Sequence, residues 1–195
     1  MKNYKIGENK LSVDIVEEII SNDTVISLSS SSKKKVKSSN NYLLKKIKSD
    51  NNPIYGINTG FGSLYNHKIS NNELSKLQKN LVVSHACGVG EEVPSELVKI
   101  ILLLKIQSLS FGNSGVNIKT IQRLIDMYNN DILPIIYEQG SLGASGDLAP
   151  LAHMSLPLLG LGDVEVSNNP KHKKYDRIKS SKILKDMGWD ILSLG

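Results

Sequence analysis

Between Gly140 and Asp147 the chain reads Gly-Ser-Leu-Gly-Ala-Ser-Gly-Asp, and the tripeptide Ala144-Ser145-Gly146 inside it has an unusual reaction open to it. The amide nitrogen of Gly146 can attack the carbonyl carbon of Ala144 and close a five-membered ring. A residue without Cβ at the attacking position relieves the crowding of closure, and a small alanine opposite keeps the turn tight. Loss of water from the ring, and of the Ser145 hydroxyl with its α-proton, leaves a methylidene conjugated to an imidazolone. That group is a strong electrophile. Acyl transfer is a poorer reading of the same serine, because Asp147 stands where the nucleophile elbow of serine hydrolases requires its second glycine. On spacing alone the simplest reading remains a glycine-rich turn capping a helix that starts near Asp147.

Other constellations are weaker. Gly60-Phe61-Gly62, Gly88-Val89-Gly90 and Gly160-Leu161-Gly162 each lack the third glycine of a dinucleotide fingerprint, and no Gly-Lys-Ser/Thr occurs. The net charge of +5 comes mostly from Lys33 to Lys48 and Lys171 to Lys185, both mixed with Ser and Asn. Aromatics make up only 5% of the chain and offer no stacking platform beside those lysines, so they read as solvated faces and nucleic acid is not an expected partner. Cys87 is the only cysteine, which excludes an internal disulfide and a Cys-x-x-Cys ligand pair and points to a reducing compartment. His67 and His172 lie outside any motif, His153 reads as packing on an apolar helix, and no metal site is expected. Met1 to Glu8 lacks an apolar signal region, and no apolar run approaches the ~18 residues of a membrane span. A cytoplasmic protein without membrane contact is the expectation.

The elements that must position this chemistry are mostly helical. A length of 195 residues with 39% hydrophobic and 22% charged residues suits one domain, or a large part of one, with a buried core. Val13, Val16, Ile19 and Ile20 share a helix face after a possible Ser12 cap, and Thr24 to Leu28 alternates weakly as a strand. Val36, Asn40, Leu43 and Ile47 recur at helical spacing, so Ser32 to Lys48 reads as a lysine-rich surface helix despite its low-complexity look. Asn51 to Leu64 is a loop, broken by Pro53, Gly56, Gly60 and Gly62. Helices are expected at Ser70 to His85, Pro94 to Phe111 and Ile118 to Tyr128, the second of them central and buried because Ile100 to Leu104 is apolar on all sides. Leu148 to Leu159 continues as an apolar helix in spite of Pro150 and Pro157. Val164 to Val166 and Tyr175 to Ile178 suggest a hairpin, followed by a helix over Ser181 to Met187 that Gly188 ends.

Three long segments then change the weight of the tripeptide. Tyr55-Gly56-Ile57-Asn58-Thr59-Gly60-Phe61-Gly62, Ser84-His85-Ala86-Cys87-Gly88-Val89-Gly90 and Gly140-Ser141-Leu142-Gly143-Ala144-Ser145-Gly146-Asp147-Leu148-Ala149-Pro150-Leu151 resemble, in order and spacing, the aromatic amino acid ammonia-lyases. The likeness runs over essentially the whole chain, including Leu97 to Gly115. It implies the mainly α, fumarase/aspartase-like fold, with a few short strands. It implies further that Ala144, Ser145 and Gly146 cyclise autocatalytically to a methylidene-imidazolone with no external cofactor. In that reading the electrophile captures the substrate amine, Tyr55 removes a β-proton, and Ser84, His85, Thr59 and Gly60 contribute to substrate binding. A phenol, with an ordinary pKa of about 10, needs a supportive environment to act as a base near neutrality.

The pair before Ala86 bears on the substrate. Phenylalanine lyases of the family usually read Phe-Leu there, bacterial tyrosine lyases His-Leu, and histidine lyases Ser-His, as Ser84-His85 does. The resemblance thus implies elimination of ammonia from L-histidine to urocanate, in histidine catabolism. A lyase or aminomutase acting on phenylalanine or tyrosine is the enzymatic alternative, and a truncated non-catalytic relative the non-enzymatic one. Family members are longer and assemble as homotetramers whose sites draw on several subunits. Residues 1–195 therefore read as the N-terminal, cofactor-forming domain without the long helical bundle, and the fragment alone is expected to be inactive.

Overall fold

A computed structural model of the chain describes residues 3–49, 52–62, 65, 69–70, 73–141, 146–169 and 174–193. In chain order the first elements are β1 (Asn3–Ile6), α1 (Val13–Ser21), β2 (Val25–Leu28), α2 (Ser30–Ser49), α3 (Leu74–His85) and β3 (Val89–Glu92). Next come α4 (Ser95–Ser110), α5 (Ile118–Asn129), β4 (Ile132–Pro134), β5 (Tyr137–Gln139) and α6 (Leu148–Ser155). A 3-10 turn (Leu156–Leu159), β6 (Asp163–Asn169), β7 (Lys174–Lys179) and α7 (Ser180–Asp186) complete the order. The expected mainly helical class holds. The elements fall into two compact units, Met1–Leu44 with Pro94–Leu133 and Glu165–Arg177, and Lys45–Val93 with Pro134–Val164 and Ile178–Gly195.

In the first unit β1 and β2 run parallel, with Asn3 opposite Val25 and Ile6 opposite Leu28. Parallel neighbours need a crossover, and α1 supplies it. Ser12 caps that helix as expected, its hydroxyl accepting the Ile15 N–H at 3.3 Å. Asn117 does the same for α5 through the Lys119 N–H at 2.9 Å. At the other end of α5, the Asn129 side chain meets Ile26 on β2 twice, accepting its N–H at 2.9 Å and donating to its carbonyl at 3.0 Å. Ile6, Ile26, Leu102, Leu103, Ile106 and Ile121 are fully buried around these contacts.

Two features of this unit depart from what composition suggests. The lysine-rich α2 buries only Ser32 and Val36, and it is held instead through the backbone of the α4–α5 loop. Asn40 donates to the Gly115 carbonyl at 2.7 Å, and the Gly115 N–H donates to Ser39 Oγ at 3.1 Å. A Cβ on Gly112 would stand 2.7 Å from the Lys35 carbonyl carbon, and one on Gly115 2.5 Å from Leu43. The second feature is Lys99, buried on α4, whose ammonium lies 2.6 Å from Asp131, 3.3 Å from Asp23 and 5.3 Å from the centre of the Tyr128 ring. Burial pushes the Tyr128 hydroxyl well above the ordinary phenol range, and the nearby Asp131 and Asp23 carboxylates add to the rise.

In the second unit α3 packs on α6 and β3 pairs antiparallel with β5, with Val89 opposite Gln139 and Glu92 opposite Tyr137. The helix expected over Leu148–Leu159 is α only to Ser155. From Leu156 it tightens into the 3-10 turn, because Pro157 cannot donate to an α-helical ladder. α7 ends just before Gly188, as expected. The expected hairpin strands are longer than predicted, and β6 lies between β4 and β7 in a three-stranded sheet. The expectation of an all-buried apolar stretch on α4 needs correction. Leu102 and Leu103 are buried, but Leu104 is 48% exposed, since α4 buries the face that carries Val98, Leu102, Leu103 and Ile106 and turns Leu104 outward whatever its residue type. β1, β3, β4 and β5 were not anticipated.

Candidate active site

Every described residue assigned to the site from the sequence belongs to the second unit. The tyrosine loop is a built turn. The buried Asn58 accepts the Ile54 N–H at 2.7 Å and donates to the Asn52 carbonyl at 3.2 Å. The buried Thr59 hydroxyl accepts the Gly56 N–H at 3.3 Å and donates to the Gly60 carbonyl at 3.0 Å, so it shapes the loop from within. Gln78 reaches over from α3 and donates to the carbonyls of Gly56 and Ile57 at 3.2 and 3.0 Å. With its backbone tied on three sides, the loop presents Tyr55 outward, 62% exposed, and the Gly62 N–H donates to the phenol oxygen at 3.4 Å.

Phe61 links this tyrosine to α3. Its ring lies 5.7 Å from that of Tyr55 and 5.5 Å, edge-on, from His85. The two residues expected to face substrate therefore both neighbour one aromatic ring. At the end of α3 the His85 Nδ1 is 2.7 Å from the Leu81 carbonyl, which can only accept. Nδ1 thus donates to that carbonyl, and Nε2 is the ring nitrogen left for a further partner. Ser84 supports the same tautomer, since its Oγ lies 3.2 Å from Nδ1 while its hydroxyl donates to the Leu81 carbonyl at 3.2 Å.

Past α3 the backbone crosses the segment that leads into the tripeptide. A Cβ on Gly140 would stand 2.8 Å from Gly88 Cα and 3.1 Å from Ala149 Cβ, so only glycine lets the two chains meet. Ser141 then caps α6, its hydroxyl accepting the Ala149 N–H at 3.1 Å. Gly146 re-enters with φ at +87°, a conformation that side chains resist, and no described atom lies within 4 Å of where its Cβ would be. Glycine is required there by the backbone and not by crowding. Leu142, Gly143, Ala144 and Ser145 lie outside the described residues, as do His67 and His172.

Four contributors escaped the sequence reading. Phe61 and Asn58 sat inside the quoted motif without a role, and Gln78 was one polar residue among several on α3. His153 was read as packing, and it is buried, but it also accepts the Gly88 N–H at 2.9 Å through Nε2 and meets the Tyr137 ring edge-on at 5.2 Å. Burial holds its pKa below the ordinary imidazole range. Among the described residues no cluster of three His, Cys, Asp or Glu side chains is arranged to hold a metal ion, and no helix is long and apolar enough to cross a membrane.

Known proteins resemble this chain in sequence and in fold. Residues 11–195 match the aromatic amino acid lyase family. The chain is 46% identical over 161 residues to the histidine ammonia-lyase of Legionella pneumophila, covering 83% of this chain and 32% of that protein. It is 52% identical over 123 residues to the histidine ammonia-lyase of Deinococcus radiodurans, covering 63% of this chain and 24% of the relative. The chain thus spans about a quarter to a third of the length of these relatives. Among solved structures, the histidine ammonia-lyase of Trypanosoma cruzi superposes with a TM-score of 0.82 at 30% identity, over 100% of this chain and 36% of the other. The phenylalanine aminomutase of Pantoea agglomerans superposes with a TM-score of 0.86 at 28% identity, over 100% and 36%. With its whole length matched in fold and nearly all of it in sequence, the chain belongs to the aromatic amino acid lyase family.

Proposed function

We propose that this chain supplies the electrophile-forming part of a cytoplasmic lyase that eliminates ammonia from L-histidine to give urocanate, working as a homotetramer. The observation that carries the reading is the row Tyr55, Phe61, His85, which places a phenol and a polarised imidazole on one aromatic ring. The names of the relatives from Legionella and Deinococcus support the choice of substrate. Gly146 suits the cofactor, because its backbone already has the conformation that only glycine takes readily and no described atom lies within 4 Å of where its Cβ would be. The methylidene-imidazolone formed from Ala144, Ser145 and Gly146 would supply the electron-poor carbon that turns the substrate amine into a leaving group.

The chain's own residues have separate tasks. Tyr55, acting as the base with its phenol proton already given up, takes the β-proton on that oxygen, and the electron pair of the Cβ–H bond forms the double bond as the Cα–N bond breaks. The lone pair on His85 Nε2 accepts the N–H of the substrate imidazole, a partner that a leucine could not provide. Ser84 keeps that lone pair facing outward by holding the proton on Nδ1, and Thr59 and Gly60 shape the loop that carries Tyr55. The test is elimination from L-histidine, L-phenylalanine and L-tyrosine, with protein made from the full reading frame that carries this chain. L-Histidine is expected to react fastest, and His85→Leu to lower its kcat/KM by about tenfold to a hundredfold, the worth of one buried hydrogen bond to a polar substrate. Faster elimination or amine migration on phenylalanine or tyrosine, with His85→Leu neutral, overturns the substrate assignment.

A further inference from the structure

We infer that His153 is a positioning residue for this site: its Nε2 lone pair pins the Gly88 N–H and so fixes the crossing between the His85 segment and the segment that enters Ala144-Ser145-Gly146. The inference rests on the lyase reading above for its purpose, and on geometry for its substance.

Gly88 follows His85 by three residues, and Gly140 precedes Ala144 by four. The two glycines pass at backbone contact, so a small shift of one strand moves both ends of the proposed site. Nothing in a glycine side chain can hold such a crossing, and the hold must come from neighbours. His153 provides it from α6, whose first turn is itself capped by Ser141 on the entering segment. The ring is closely fitted. A Cβ on Gly88 would stand 2.9 Å from His153 Nε2 and 3.1 Å from Tyr137 Cβ, and Tyr137 closes the other side edge-on. Because the backbone N–H can only donate, Nε2 must be unprotonated, and the proton of the neutral ring sits on Nδ1. The lowered pKa of the buried ring favours that neutral form. An imidazole is suited to the task because it combines an aromatic ring that packs on Tyr137 with an acceptor, which phenylalanine or leucine lacks.

The experiment uses the 195-residue chain labelled with 15N, together with His153→Phe and His153→Gln, in which the glutamine amide oxygen can replace Nε2 as acceptor. The expected result is an Nε2 resonance typical of an unprotonated, hydrogen-bonded nitrogen and a Gly88 amide protected from hydrogen exchange. His153→Phe should accelerate exchange at Gly88 by about tenfold to a hundredfold, and His153→Gln should restore it to within about threefold. The Ile26 amide, bonded to Asn129 in the first unit, serves as control and should not change. If His153→Phe unfolds the chain and speeds both amides, the wild-type ring spectrum and His153→Gln still decide. A protonated Nε2, an unprotected Gly88 amide in the wild type, or equal Gly88 exchange in all three proteins overturns the inference.

Protein from the full reading frame carries the functional half of the test. There His153→Phe should lower kcat by about tenfold or more with KM little changed, and His153→Gln should recover most of the loss, the signature of misplaced reacting groups and not of lost substrate contacts. An equal kcat in His153→Phe overturns the positioning role. The two readings fail separately. A tripeptide that has lost the mass of two waters beside an unpinned Gly88 leaves the lyase reading standing. A pinned Gly88 beside an unmodified tripeptide in the full-length protein removes the lyase reading instead.

Discussion

Both units of the chain use polar side chains that grip backbone groups, and they differ in what the rest of their hold depends on. The first closes an aliphatic core around α4 and α5 and encloses one cation, Lys99, between two carboxylates and a tyrosine ring. In the second, the loop and crossing that carry the proposed chemistry rely on polar side chains gripping backbone groups: Asn58, Gln78, Ser141 and His153 each bond main-chain atoms. A core tolerates repacking as long as volume is conserved. A backbone gripped by one acceptor does not, because removing that acceptor leaves a donor unpaired. The difference suits the proposed chemistry, in which a reactive segment is held at fixed geometry on a scaffold that need only be stable.

Substitutions can break that comparison in order of size. Ser145→Ala removes the hydroxyl whose loss creates the electrophile, so elimination should fall below detection and the tripeptide should keep the mass of both waters, while the first unit's melting behaviour stays unchanged. Activity that persists would refute the cofactor assignment. Next in size is Lys99→Met, which leaves Asp131 without its buried partner and should cost about 3 kcal/mol in denaturant unfolding at neutral pH. A smaller loss, below about 1 kcal/mol, would mean that water reaches Asp131 and that the first unit is not closed as described.

Gly88→Ala pushes a methyl group against His153 and Tyr137, both ring-bearing neighbours with little room to give, and should cost about 2 kcal/mol. Gly146→Ala meets backbone strain at φ +87° with no described atom in the way, and should cost about 1 kcal/mol of stability. Equal losses in unfolding experiments would show that crowding at the crossing is relieved by movement. The smallest effect is the acid response of His153. Its folded-state pKa lies below the unfolded value of about 6.5. Its contribution is therefore complete above about pH 6.5 and is lost as pH falls from there toward the folded-state pKa, where the ring gains a proton and Gly88 its competitor. His153→Gln should flatten this part of the stability-pH curve. An unchanged slope would assign the acid response to other groups.

Much of this was legible in the sequence where local rules govern. Ser12 announced the start of α1 and helical periodicity recovered α2 from a lysine-rich stretch, whereas the helix expected over Leu148 to Leu159 passed over the tightening that Pro157 imposes. The motifs around Tyr55, Ser84-His85 and the tripeptide were legible through family likeness, and residue spacing by itself favoured a turn. What could not be read depends on partners far along the chain. β3 is Val-Gly-Glu-Glu, exposed throughout and without alternation, and it exists because β5 lies beside it. His153 meets a backbone N–H 65 positions earlier, which no local pattern records. Gln78 was missed for the same reason, since its targets are carbonyl oxygens and carbonyls carry no sequence signature.

The way α2 is anchored has a consequence for how this part of the molecule can drift. Seven lysines lie on the helix, at positions 33, 34, 35, 37, 45, 46 and 48, while its grip on the α4–α5 loop depends on Ser39, Asn40 and the two glycines at 112 and 115. A saturation mutagenesis map should therefore be nearly flat across Lys33, Lys34, Lys37, Lys45 and Lys48 and steep at those four positions, the reverse of what conspicuous charge would lead one to select for alteration. An engineer wishing to neutralise the basic surface has that freedom on α2, provided the quiet serine, asparagine and glycines are left alone.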